Sequence, residues 1–372
     1  MTPNPQSTRP PSSKRVVFAL AGVGAGNATR DLAIIHELHR LAPEVEVHAA
    51  AQGLGLDVLE GRVHLHPLRK VGYGKTPSFS ARSIILSNLG FPLVYWSNRR
   101  RLAGLLRALR PGLVVVDSDF YAFGPARALG VPVLSINNSA VVMREFPRLS
   151  GPTPAGCAFS RHIIEAADFA LQRHGATRVL CPALRSVPRL PPGFAVVPPI
   201  VRQSFTPPTS APPPGAPMLA VILGGSGIGT DALDLRFWPH PIEVVGRVGA
   251  ARFPPHARLH GFLPDPSAVL ARASMALVQG GFSSLSEVIA SATPSLVCPI
   301  PGHAEQAVNA RVAHELGLAL DASLTGLADG LTTLDAQAQQ RRTELQQNRP
   351  PTDGARHVAA TIVEMLNAAS HR

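Results

Sequence analysis

Short apolar runs alternate with helical spacing along the whole chain. Val16–Leu20 is an apolar run that leads straight into glycines, and it reads as a buried strand. Ala28–Leu41 then carries Leu32, Ile35 and Leu38 at spacing three, the stripe of an amphipathic helix, with Asn27 placed to cap it. Val45–Ala50 reads as a strand and Arg99–Leu109 as a helix stopped by Pro111 and Gly112. A strand over Leu113–Val116, a helix over Gly124–Leu129 and a strand over Val131–Ile136 follow. Repeated βα units of this kind predict a parallel sheet covered on both faces.

Eleven prolines stand between Pro188 and Pro217. A stretch so poor in backbone donors cannot be a helix or a central strand, and it marks a linker. The pattern restarts beyond it, with strands over Met218–Leu223, Ile242–Val245, Arg258–Gly261, Met275–Val278 and Ser295–Cys298. Helical spacing returns near Leu331–Leu345 and Ala355–Ala368. The expected organisation is a polar, disordered N-terminus (1–13), a first domain (14–187), the Pro-rich linker (188–217) and a second domain (218–350). A closing helix (351–372) is placed to pack back on the first domain. The fold class is α/β, two tandem Rossmann-like domains facing across a cleft, and ligands in such sheets bind beyond the strand C-terminal ends.

A chain of 372 residues with 45% hydrophobic content can bury two cores. The net charge of +11 is uneven: residues 1–200 hold 23 Lys+Arg against 11 Asp+Glu, the rest 12 against 13. That asymmetry points to an anionic partner for the first half, partly offset by a general Arg bias in composition. Cys157, Cys181 and Cys298 fit no metal spacing and read as reduced thiols of a cytoplasmic protein. No run approaches the length of a membrane span. Ser83–Trp96 is apolar, ends in aromatics and precedes Arg99, Arg100 and Arg101. It reads either as a buried helix with a solvated basic turn, or as a face that lies on an anionic bilayer.

Two glycine loops stand at equivalent places. Gly22, Gly24 and Gly26 follow the first strand, and Gly224, Gly225, Ser226 and Gly227 follow the first strand of the second half. Each is either a tight turn or a backbone cradle for phosphate at a helix start. A third turn, Gln279, Gly280 and Gly281, opens a helix with Ser283, Ser284 and Glu287. Amides around Gly281–Ser284 can hold a diphosphate, and Glu287, one turn deeper, can accept two ribose hydroxyls. Its alternative is a carboxylate favourably placed near a helix start.

These residues resemble the donor-binding signature of GT-B glycosyltransferases, of both the UDP-glycosyltransferase superfamily and the peptidoglycan N-acetylglucosaminyltransferase group (glycosyltransferase family 28). The shared pattern is H-G-G-x-x-S-x-x-E, a Pro, then E/D-Q-x-x-N-A. It is matched by Gly280, Gly281, Ser284, Glu287, Pro294, Pro299, Glu305, Gln306, Asn309 and Ala310. The first loop resembles G-x-G-x-G-H-x-x-R, and Val197–Arg202 and Leu223–Gly225 also match family positions. The resemblance implies an inverting, metal-independent hexosyltransferase with a UDP-sugar donor, no cofactor, and a lipid or other small acceptor. It implies Glu287 on the ribose, Glu305 and Gln306 on the sugar hydroxyls, and Phe262 and Leu263 at the base. Gly225, Ser226, Ser283 and Ser284 fall to the diphosphate, and Gly24, Gly26 and Asn27 to the acceptor side. It also implies a cytoplasmic protein, peripheral on the inner membrane face, with no nucleic-acid partner.

Two departures bear on mechanism. Asn27 stands where the family has the His taken as general base, and Asn cannot accept a proton at neutral pH. Gln279 replaces a second His and keeps a donor for phosphate. Asp119 and Asp117, just after the Leu113–Val116 strand, are the substitute candidates for the base, with loop capping as the alternative for either. A hydrolase or epimerase on the same fold, and a non-catalytic nucleotide-sugar-binding partner subunit, are the competing readings. The other histidines, among them His36, His39, His64 and His66, read as surface or packing residues, and His303 sits in the sugar loop.

Overall fold

The computed structural model describes residues 12–21, 25–70, 90–205, 217–225, 227–231 and 233–370. The first sheet has seven strands in the order β3-β2-β1-β4-β5-β6-β7, every neighbour parallel. They are β1 Ser12–Leu20, β2 Glu46–Ala51, β3 His64–Pro67, β4 Pro111–Asp117, β5 Val133–Ile136, β6 Arg178–Pro182 and β7 Phe194–Val197. The second sheet has six, in the order β10-β9-β8-β11-β12-β13, again all parallel. These are β8 Leu219–Ile222, β9 Ile242–Val245, β10 Arg258–Gly261, β11 Met275–Val278, β12 Ser295–Val297 and β13 Leu320–Asp321. The central runs Val16–Leu20, Leu113–Val116, Leu219–Ile222 and Met275–Val278 are apolar on both faces because helices cover both sides. Each sheet reverses its winding beside its first strand, between β1 and β4 and between β8 and β11. Crevices in such sheets open at that point, beyond the strand C-terminal ends.

Several sequence expectations are corrected. Ser12 and Ser13 belong to β1 rather than to a disordered tail, while residues 1–11 lie outside the described residues. The Pro-rich run is not all linker. Phe194–Val197 pairs with β6 as the last strand of the first sheet, an edge position where prolines on either side cost no ladder bonds. The helix expected from Arg99 starts at Phe91, where Pro92 supplies an N-terminal turn that needs no donor. Its first turns are not core: Leu93 is 75% exposed and Trp96 56%. Residues 83–89 of that apolar stretch lie outside the described residues.

The last helix, Gly354–Ser370, returns to the first sheet. Val358, Ala359, Ile362 and Leu366 pack with Leu32, Ile35 and Leu38 of the Gly26–Leu41 helix. The chain re-enters the first lobe beside the point where it left. Gly354 N donates to Pro199 O at 3.1 Å, and Ile200 bridges Asp353. On one flank the lobes share an apolar core, in which Val142, Phe146 and Leu184 join Phe282, Val308 and Val312. Arg185 clasps Glu145 of its own lobe and Glu315 of the other, the latter at 2.8 Å.

Candidate functional site

The Phe282–Ala290 helix opens after Gly281, directly opposite the start of the Gly26–Leu41 helix. Ser283 Oγ donates to Gly26 O at 3.1 Å, so two helix N-termini from different lobes face each other across one contact. Gly225 adjoins the same place. A Cβ built on it would lie 2.3 Å from Leu54 Cδ1 of the first lobe. The expected diphosphate residues Gly225, Gly280, Gly281, Ser283 and Ser284 are therefore gathered where the crevices meet, with Gly26 and Asn27. Gly24 and Ser226 lie outside the described residues.

The polar residues of the motif brace its loops. Gln279 accepts from Gly224 N and donates to Ile228 O, each at 3.0 Å. Its amide thus braces the Gly224 loop, with one further N–H on the same nitrogen. Gln306 accepts from Ile300 N at 2.9 Å, and Asn309 donates to Gly280 O at 3.0 Å. Gly280 has φ +86, and a Cβ there would lie 3.1 Å from Gln306 O, so only glycine fits the turn without strain.

Glu287 is buried one helical turn inside, beside the loop that bears Phe262 and Leu263. Arg202 links the two: Nη2 donates to Glu287 Oε1 at 2.7 Å, and Nη1 donates to Pro264 O. Burial raises the Glu287 pKa, and Arg202 opposes that rise. One carboxylate oxygen is thus already engaged by an arginine of the crossover segment, a partner the sequence reading did not assign. Phe262 packs against the first lobe's core and Leu263 against the shared core, both half-buried.

The first-lobe side holds a dense polar cluster. Asn27 is not a cap: the helix begins at Gly26, and Asn27 Oδ1 accepts from Arg30 Nη2 at 3.1 Å. Arg30 also forks onto Asp117, with Nε to Oδ2 at 2.6 Å and Nη2 on Oδ1. Asp117 is fully buried in that pair, which corrects its expected part as a free base. Asp117 holds the Arg30 guanidinium charged despite the cost of burying it. Asp31 beside it is fully buried, and burial and then Asp117 push its pKa well above the usual range. Ser118 follows at φ 54, a left-handed conformation costly for a side chain and common at working sites. Asp119 Oδ1 accepts from Tyr121 N at 2.7 Å, the capping geometry, while Oδ2 has no hydrogen-bond partner among the described residues. Burial lifts Asp119 to about 7.

Further residues complete the cluster. Asn137, just past β5, donates to Asp168 Oδ2 at 2.7 Å, and Gln172 donates to Asp168 Oδ1 at 2.8 Å. Glu165, His303 and Glu305 offer ligand atoms within 4.8 Å of one another. Burial holds His303 neutral, at about 4. Asn137, Glu165 and Asp168 escaped the sequence reading, because only folding brings them together; Arg30 stood in the first loop's motif without a role, and Asn137 and Asn138 at a strand end were the readable hint. His64 and His66, read as surface or packing residues, stand with His48, whose Nδ1 lies 3.1 Å from His66 Nε2.

No family model matches the chain. An uncharacterized glycosyltransferase of Methanosarcina mazei is 25% identical over 331 residues, covering 82% of this chain and 84% of the relative. A UDP-N-acetylglucosamine–N-acetylmuramyl-(pentapeptide) pyrophosphoryl-undecaprenol N-acetylglucosamine transferase of Gloeobacter violaceus is 32% identical over 142 residues, 34% of this chain and 40% of that protein. Among solved structures, a UGT transferase of Siraitia grosvenorii in complex with UDP superposes with a TM-score of 0.62 at 15% identity, covering 95% of this chain and all of that one. The chain is a glycosyltransferase with the GT-B fold, similar to the UDP-glycosyltransferases and to the peptidoglycan N-acetylglucosaminyltransferase group.

Proposed function

We propose that the protein moves a hexosyl group from a UDP-sugar to an acceptor hydroxyl, with inversion. The carrying observation is the pair of opposed helix N-termini at Gly26 and Phe282, joined through Ser283. Partial positive charge and unpaired amides converge there, which suits a leaving diphosphate without a metal. Glu287 serves the ribose through the oxygen that Arg202 leaves open, and Glu305 and Gln306 serve the sugar. Asp119 is the base. Its Oδ2 is uncommitted among the described residues, and a carboxyl near 7 is matched to proton transfer at neutral pH. The Siraitia grosvenorii structure holds UDP, which supports the choice of nucleotide.

The acceptor is a lipid-borne or other small hydroxyl compound bound by the first lobe, and the protein works at an anionic membrane surface. Exposed Leu93 and Trp96 beside Arg99, Arg100 and Arg101 support that placement. Among the described residues no helix is long and apolar enough to cross a membrane. The test is a thermal-shift series with UDP, ADP, NAD and UDP-sugars. Stabilisation by UDP and UDP-sugars alone is expected, and absence of any UDP shift at millimolar concentration refutes the reading.

A further inference from the structure

In the proposed sugar subsite, Glu305 and Gln306 approach from the second lobe only. A first-lobe segment reaches the same place. The π-helical turn Ser160–Glu165 ends against the start of the Ala304–Glu315 helix, and Ser160 Oγ accepts from Ala304 N at 3.1 Å. One lobe thus caps a helix of the other, and π-turns of this sort often mark functional positions. Glu165 closes the turn, is itself buried, and lies with His303 and Glu305 inside the 4.8 Å group.

We propose that Glu165 is a specificity-determining residue: with Glu305 it forms a station of two carboxyls, one from each lobe, that hydrogen-bonds neighbouring hydroxyls of the transferred sugar. This rests on the nucleotide-sugar reading above. Two carboxyls this close in a buried place do not both ionise, so one keeps its proton. Burial, then the charges of Glu305 and Asp168, lifts Glu165 to about 9. Burial also raises Glu305, which Arg30 and Asn309 pull back and Asp117 pushes up. The protonated carboxyl donates and the ionised one accepts, and neighbouring sugar hydroxyls, each able to do both, satisfy the two. The other groups facing the pair are neutral His303, Asp168 in its bonds to Asn137 and Gln172, and, past Glu305, the Arg30–Asp117 pair. Arg161 on Glu165's own turn lies over the Phe146 ring instead.

Calorimetric binding of UDP, UDP-glucose and UDP-N-acetylglucosamine to the full chain at pH 7 and 9.5 tests this, in wild type, Glu165→Ala and Glu165→Gln. In Glu165→Ala the affinity for UDP-sugars relative to UDP is expected to fall about tenfold, the worth of one or two buried hydrogen bonds. Glu165→Gln, which keeps a donor but cannot ionise, is expected to lose less and to lack the wild-type weakening of UDP-sugar binding at pH 9.5. Equal losses for UDP and UDP-sugars in both variants would overturn the proposal, since they mark lobe packing alone. So would stabilisation of wild type by Mn²⁺ or Zn²⁺ that disappears in Glu165→Gln, which would assign the three side chains to a cation. If wild type itself binds neither UDP nor UDP-sugars, the nucleotide-sugar reading falls and takes this with it.

Discussion

Replacing Arg30 by Met should destabilise the first lobe by an amount that the burial of its partner sets. The Arg30 and Asp117 side chains are 7% and 0% exposed, and two of the guanidinium nitrogens bond the carboxylate. Among the described residues Asp117 would keep the Ser118 hydroxyl, at 3.2 Å, and its contact with Asp31, with no cation beside it. Removing one member of a buried pair costs about 3–5 kcal/mol because the other charge is left uncompensated. At the low end, about 3 kcal/mol lowers the melting temperature of a domain this size by about 6–12 °C. The assay is urea denaturation of Arg30→Met beside the double variant Arg30→Met/Asp117→Leu. The double variant should recover most of the loss, because no orphan charge remains. The single-variant penalty should also be smaller at pH 5 than at pH 8, since a buried orphan carboxylate escapes its cost by taking a proton. A single variant within about 0.5 kcal/mol of wild type, the range of an ordinary surface change, would refute the reasoning.

Asp119→Asn should lower kcat by about a hundredfold or more while UDP still binds, measured by product formation and by thermal shift. Asp31 is raised by burial, so the folded state holds its proton where the unfolded state has lost it. Stability should then fall as pH rises above about 4, and Asp31→Asn should flatten that slope in pH-dependent melting. Gly280→Ala should cost about 1–2 kcal/mol through its left-handed φ and the nearby Gln306 carbonyl, read by urea denaturation. Trp96→Glu should reduce flotation with anionic liposomes without changing the melting temperature; unchanged flotation would remove this face from membrane contact.

The strand scaffold was legible because central parallel strands are continuous apolar runs, as in Val16–Leu20 and Met275–Val278. β7 was hidden by its prolines, which exclude a central strand but not an edge. The start of the Phe91–Leu109 helix was hidden because its exposed apolar turns break the expected amphipathic stripe. Within the site, local spacing exposed the Gly280–Glu287 turn and helix. It could not expose Arg30 on Asp117, 87 positions apart, or Arg202 on Glu287, 85 apart. Such pairs depend on which strand ends become neighbours, and that is a property of topology. Local spacing also gave no sign that the Gln279 amide braces the Gly224 loop.

The return of the Gly354–Ser370 helix means that the polypeptide passes between the lobes twice, side by side, at Pro199–Ile200 and Asp353–Gly354. A single tether would act as a swivel. Two adjacent tethers leave the lobes fewer ways to turn against each other, which favours keeping Ser283 in register with Gly26.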